Sequence, residues 1–137
     1  MWFEILSLFL IRYPDVTSEY IQIDLGEPVY VAGIRIQGNP SKDMYVTRFS
    51  IATSLDGQHW TVYQKAATGS GAVYHGNSNR NTPVDVMIDG NKGDKHVLTH
   101  YVRILPRDFV GGISLRFEVL SCRMPVTPRK YNIMSFQ

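Results

Sequence analysis

A chain of 137 residues supplies material for one domain with a hydrophobic core and none for a second. Hydrophobic residues make up 44% and charged residues 19%, with 8 Tyr, 6 Phe and 2 Trp, a balance that excludes disordered, collagenous and coiled-coil chains. The formal charge of +2 is too small to call for nucleic acid, but residues 1–94 carry 7 positive and 10 negative side chains whereas residues 95–137 carry 7 and 2. A basic end of that kind favours an anionic partner such as phospholipid or sulfated glycan, or is simply solvated surface.

In chain order, Met1 to Ile11 is apolar but shorter than the roughly 18 residues of a membrane span, contains Glu4, and has neither a basic n-region nor a small-residue cleavage site. It reads as a buried strand or as foreign sequence within an atypical N-terminal segment, residues 1–19. From Tyr20 onward, apolar residues alternate with polar ones in short runs divided by turn residues, the pattern of half-buried strands. Ile21, Ile23 and Leu25 form the first run, which Gly26 to Pro28 breaks. Val29 and Val31 share one parity and Ile34 and Ile36 the other, which predicts a bulge at Gly33. Phe49 and Ile51 lead through Asp56-Gly57 to Trp60 and Val62, a hairpin with Trp60 expected in the core. Further runs centre on Val84 to Ile88, Val102 to Ile104 and Leu115 to Val119. No window shows a helical stripe, so about eight strands in an antiparallel sandwich or barrel are predicted. Met124 to Gln137 reads as a linker or loose end, placing a tail at residues 123–137.

The chemical motifs fail in informative ways. Gly69-Ser70-Gly71 lacks the spacing and the following helix of a nucleophile elbow or phosphate loop. Asp89 to Asp94 resembles a calcium loop, but Gly93 stands at the fifth ligand position, Asp94 in place of the turn glycine and His100 in place of the bidentate Glu. His96 and His100 would lie about 13 Å apart on an extended strand, too far to share a metal, and are expected at solvent or a strand edge. Cys122 is the only cysteine, so no internal disulfide or cysteine-based zinc site can form. Asp24 is expected as a hydrogen-bond or ion-pair anchor, with Arg103 and Arg116 as its possible partners. No metal, cofactor or catalytic pairing is predicted.

Several segments in order resemble the discoidin family, the coagulation factor V/VIII type C domain. They are Tyr20-Ile-Gln-Ile-Asp-Leu-Gly26, Val31-Ala-Gly-Ile-Arg-Ile-Gln-Gly38, Met44-Tyr-Val-Thr-Arg-Phe49, Ser54-Leu-Asp-Gly-Gln-His-Trp60, Tyr74-His-Gly-Asn77, Tyr101-Val-Arg-Ile-Leu-Pro106 and Ile113-Ser-Leu-Arg-Phe-Glu-Val-Leu-Ser-Cys122. The resemblance covers residues 20–122 and implies an all-β, jelly-roll-like antiparallel sandwich without catalysis, secreted or in the ectodomain of a membrane protein. Family members begin with a cysteine that pairs with the one matching Cys122. Here Met1 to Glu19 stands in place of that segment, so the first strands of the family domain are missing or replaced, and Ser121 stands where glycine is usual.

In this family, recognition lies on loops at one end of the sandwich. Alternation of hairpins places the loops Gly38 to Met44 and Ala66 to Ala72 together, and the resemblance adds Arg107 to Gly112. The expected ligand-binding residues are Asn39, Ser41, Lys42, Asp43 and Met44 with Arg107, Asp108 and Phe109, while Asp24, Trp60, Arg103, Arg116 and Cys122 are structural. Lipid-inserting members carry bulky apolar residues in the first of these loops, whereas Asn39 to Asp43 is polar here, so a protein or glycan ligand is preferred. Phe109 matches a family Trp expected to pack. The alternatives are peripheral binding to anionic phospholipid, an accessory module of a larger protein, and an inactive fragment. The unpaired Cys122 allows a disulfide-linked dimer.

Overall fold

The computed structural model describes residues 3–4, 8–12, 20–62, 73–88, 96–122 and 132–136. Among the described residues there are strands and turns but no helix. The strands are β1 (Phe3–Glu4), β2 (Leu8–Arg12), β3 (Ile21–Gln37), β4 (Tyr45–Ser54), β5 (Thr61–Val62), β6 (Tyr74–His75), β7 (Val84–Met87), β8 (Val97–Val110), β9 (Ile113–Cys122) and β10 (Asn132–Phe136). Every pairing between them is antiparallel.

The long strand β3 belongs to both layers of the sandwich. Its first half lies between β10 and β8, and β8 in turn pairs with β4, whose outer edge carries β5 and β6. Its second half lies between β7 and β9, and β1 and β2 pair with β9. Ile21, Ile23, Phe49, Ile51, Val102 and Ile104 from the first layer meet Ile34, Ile36, Leu115, Phe117 and Val119 from the second in one buried cluster. The strand can serve both layers because its inward parity changes: Val29 and Val31 are buried, then Ile34 and Ile36, with the register against β9 slipping between Val31 and Gly33. Glycine is required at the slip, since a Cβ there would sit 2.4 Å from the Val86 carbonyl oxygen of β7.

The alternation predicted from sequence is thus realised, including the bulge and the Asp56-Gly57 hairpin, where Ala52 faces Val62 and Thr53 faces Thr61. Three expectations need correction. Gly26 to Pro28 does not end a strand, because β3 continues through it with a register shift between Asp24 and Val29. The tail is not wholly loose, because Asn132–Phe136 pairs with the first half of β3. Arg107 to Val110 is not loop but the end of β8, so the connection to β9 shrinks to Gly111 and Gly112. The N-terminal segment contributes β1 and β2, consistent with the strand reading of Met1 to Ile11. The segments containing Gly69 to Gly71 and Asp89 to Asp94, and the Ala66 to Ala72 loop, lie outside the described residues.

Trp60 is also not a core residue. It is only partly buried, its ring covered by the Arg103 guanidinium at 3.7 Å and its Nε1–H donating to the Gly57 carbonyl at 3.3 Å. Trp60 stands between the turn and β5, and the indole lies over Arg103 on the outer face of the sheet. Phe49→Ala, which empties a fully buried site, should therefore cost about 3–5 kcal/mol in urea unfolding. Trp60→Ala should cost clearly less, since part of the indole already meets water.

Candidate functional site

The loop from Gly38 to Met44 is built around a buried asparagine. Asn39 is 1% exposed, and its Oδ1 accepts the backbone N–H of Ser41 at 2.8 Å and of Lys42 at 2.9 Å, while its own N–H donates to the Met44 carbonyl at 2.9 Å. An asparagine oxygen that replaces a backbone acceptor two residues on is the standard way to hold so tight a turn. Asn39 therefore shapes the loop from a buried position, and Met44, at 5% exposure, packs inward. Both depart from the expected contact set, for the same reason: closing the loop buries its two ends. Ser41, Lys42 and Asp43 remain exposed on its outer side.

Two further turns lean on this loop. Arg116 of β9 donates from Nε to the Gly38 carbonyl at 2.8 Å and from Nη2 to the Arg80 carbonyl at 3.3 Å, while Arg80 Nη1 donates to the Pro40 carbonyl at 3.1 Å. The segment carrying Arg80 is fixed by Asn77 Nδ2, which donates to the carbonyls of Ile36 and Thr82 at 2.9 and 3.1 Å. Gln37 Nε2 adds a hydrogen bond to the Asn81 carbonyl. From the other side comes the β8–β9 turn: Gly111 has a φ of 75°, and a Cβ there would lie 2.5 Å from the Asp43 carbonyl oxygen. The loops at 38–44 and 111–112 do come together, and the 76–83 segment joins them. The sequence reading did not single out Arg80; the asparagines at 77, 79 and 81 are the local signal that a turn forms there.

Arg107, Asp108 and Phe109 stand in β8 on the approach to this end. Arg107 Nε donates to Ser50 Oγ at 3.2 Å, Asp108 is exposed opposite Arg48, and Phe109 packs against the core. Of the large apolar side chains among the described residues, the exposed one nearest the loop is Val110, at 39%. This end of the sandwich therefore presents hydroxyl, ammonium and carboxylate groups on a rigid base. Among the described residues, that end exposes little apolar surface.

The other residues expected to be structural have different partners from those expected. Asp24 pairs with His100, Oδ1 to Nε2 at 2.9 Å, and accepts the Gly26 N–H at 2.8 Å, with neither arginine involved. Arg116 is committed to the loop, and Arg103 Nε donates to Gln22 Oε1 at 2.7 Å. His100 is accordingly a half-buried hydrogen-bond partner of Asp24, stacked on Tyr101 at 4.2 Å. Cys122 closes β9, in register with Phe3 and Tyr30. Among the described residues no cluster of three or more His, Cys, Asp or Glu side chains is arranged to hold a metal.

At the opposite end, an open recess of about 490 Å³ lies between the β4–β5 turn and the start of β8, lined in part by Asp56, His59 and Leu98. Asp56 is held well below the usual carboxylate range, first by the backbone N–H and then by the imidazole of His59, and the same pairing raises His59. The two shifts run in opposite directions. The Asp56 contribution to stability is present above its unfolded value near 3.9 and lost as pH falls through its lowered native value; that of His59 is present below about 6.5 and lost as pH rises through its raised value.

Two predictions follow from this geometry. Gly111→Ala should force the turn away from Asp43, lowering the melting temperature and shifting the amide NMR signals of Ser41 to Asp43 along with those of the β8–β9 turn. Asp56→Asn should return the NMR titration of the His59 ring to about 6.5.

A family model for the F5/8 type C domain matches residues 12–119. Coagulation factor VIII of Sus scrofa is 39% identical over 113 residues, 80% of this chain and 5% of that protein. Neuropilin-1 of Gallus gallus is 36% identical over 118 residues, 83% of this chain and 12% of that protein. The chain thus spans a small fraction of the length of these curated relatives. Among solved structures, recombinant discoidin II of Dictyostelium discoideum shares the fold, with a TM-score of 0.67 at 22% identity over 81% of this chain and 39% of that one. The chain belongs to the F5/8 type C domain family.

Proposed function

We propose that this domain is a non-catalytic recognition module that binds a protein or glycan ligand outside the cell through the loop end built by residues 38–44, 76–83 and 111–112. The observation that carries this reading is the construction of the first loop. Its apolar and amide groups are turned inward at Asn39 and Met44, and Ser41, Lys42 and Asp43 are held outward on a base pinned by Arg116. A preorganised polar surface loses little entropy on binding and discriminates by hydrogen-bond geometry and charge placement. Arg107 and Asp108 extend that surface along the end of β8. Cys122, the single cysteine, offers a route to a disulfide-linked dimer.

The test is a panel of glycans, extracellular-matrix proteins and anionic liposomes presented to the folded chain, followed by the double variant Lys42→Ala/Asp43→Ala. Binding to a glycan or protein should weaken by about tenfold or more, equivalent to about 1.4 kcal/mol, while stability changes by no more than about 0.5 kcal/mol, as is usual for exposed loop positions. Binding only to anionic liposomes, unaffected by the double variant and abolished by salt, would instead make the molecule a peripheral lipid binder using diffuse basic charge.

A further inference from the structure

Arg103 lies in the middle of β8, opposite Gln22 of β3 and Ala52 of β4. Its neighbours Val102 and Ile104 point into the core, so Arg103 stands on the outer face of the sheet. There its guanidinium is packed against two rings, 4.2 Å from the centroid of Tyr20 and 3.7 Å from that of Trp60, and Nε is fixed by Gln22 Oε1 at 2.7 Å. Tyr101 continues the aromatic wall, 6.5 Å from Trp60. These contacts use the faces and the inner edge of the guanidinium. Among the described residues, the Nη1 and Nη2 groups have no hydrogen-bond acceptor and no carboxylate partner.

Two other arginines in the strands are spent differently. Arg35 engages Asp85 at 2.7 and 3.1 Å and Glu118 at 3.4 Å, and Arg116 is taken up by two backbone carbonyls. Arg103 alone among these three has its fork held in one orientation and left open. We propose that Arg103, with Tyr20 and Trp60, forms a second binding site, on the sheet face, for an acidic sugar unit bearing a carboxylate or sulfate. The planar fork matches such an oxyanion in bidentate fashion, and the flanking rings offer apolar surface to the C–H face of a pyranose. A strongly polyanionic ligand fits less well, because Asp24 lies one outward position along β3 from Gln22 and Asp56 lies in the turn that leads to Trp60. The site is separate from the loop end, since the eight residues from Arg103 to Gly111 span about 25 Å in extended chain.

The experiment is an NMR titration of the whole chain with glucuronate and with glucose 6-sulfate, using glucose and acetate as controls and reading the Arg103 Nε–H and Trp60 indole N–H signals. Saturable shifts of both signals are expected with the two acids, and not with glucose. Acetate should bind at least about tenfold more weakly, because it lacks the ring that the aromatic wall would contact. Arg103→Lys keeps the charge and removes the fork, and should weaken binding about tenfold or more. Lys42→Ala/Asp43→Ala should bind the acids as the wild type does, which separates this site from the loop reading. The proposal is overturned if neither acid shifts these signals in the wild-type chain, a result that needs no variant to fold. It is also overturned if glucose or acetate binds equally well, or if folded Arg103→Lys binds unchanged.

Discussion

Everything in this molecule depends on one strand serving two layers. β3 enters beside β8 and leaves beside β9, and a regular strand could not do so, because its side-chain period of two would carry its apolar residues to solvent in the second layer. The register slip between Val31 and Gly33 resets that parity and keeps both halves facing one core. The slip in turn brings β7 so close that no side chain fits at residue 33. Because the exit of β3 at Gln37 is set by this path, the position of the loop that follows is set with it.

That loop is accordingly anchored to the sandwich at more than its two ends. The Arg116 side chain reaches from β9 to Gly38 and to the backbone of Arg80, and Asn77 ties the next segment to Ile36 near the end of β3. Each bond satisfies a carbonyl that the loss of strand pairing would otherwise leave without a donor. The consequence for recognition is stiffness. Three exposed polar residues project from a base whose own polar groups are largely taken, so contact with a ligand does not have to order the loop first.

Much of this was legible in the sequence, and the failures have a common origin. Period-two alternation located the strands, and the change of parity from Val31 to Ile34 located the bulge, because both are local consequences of burying one face. Trp60 was misplaced because an aromatic residue after a hairpin turn has the same sequence signature whether it packs inside or caps the outside. Asn39 looked like a contact residue because polar loop residues read as surface, and only the geometry shows its amide turned inward. The true partner of Asp24, His100, was invisible because cross-strand pairing depends on a register that no local pattern encodes. The β10 pairing was hidden for the same reason: Asn132–Phe136 is unremarkable until the free edge of β3 is beside it.

Three arginines of the outer faces, Arg35, Arg103 and Arg116, show how one residue type takes different work from its surroundings. In the second layer, Asp85, Arg35 and Glu118 stand in register across β7, β3 and β9, so the cation is neutralised, and its hydrogen bond to Asp85 holds that carboxyl below the usual range. At the loop end, Arg116 meets carbonyl groups, and its charge strengthens bonds that position backbone. In the first layer no carboxylate lies opposite residue 103: its cross-strand neighbours are Gln22 and Ala52. A guanidinium there can be held by the faces of aromatic rings, which attract the cation without consuming its donors. Of these three, the side chain that does least to tie strands together is thus the one left with the most hydrogen-bonding capacity.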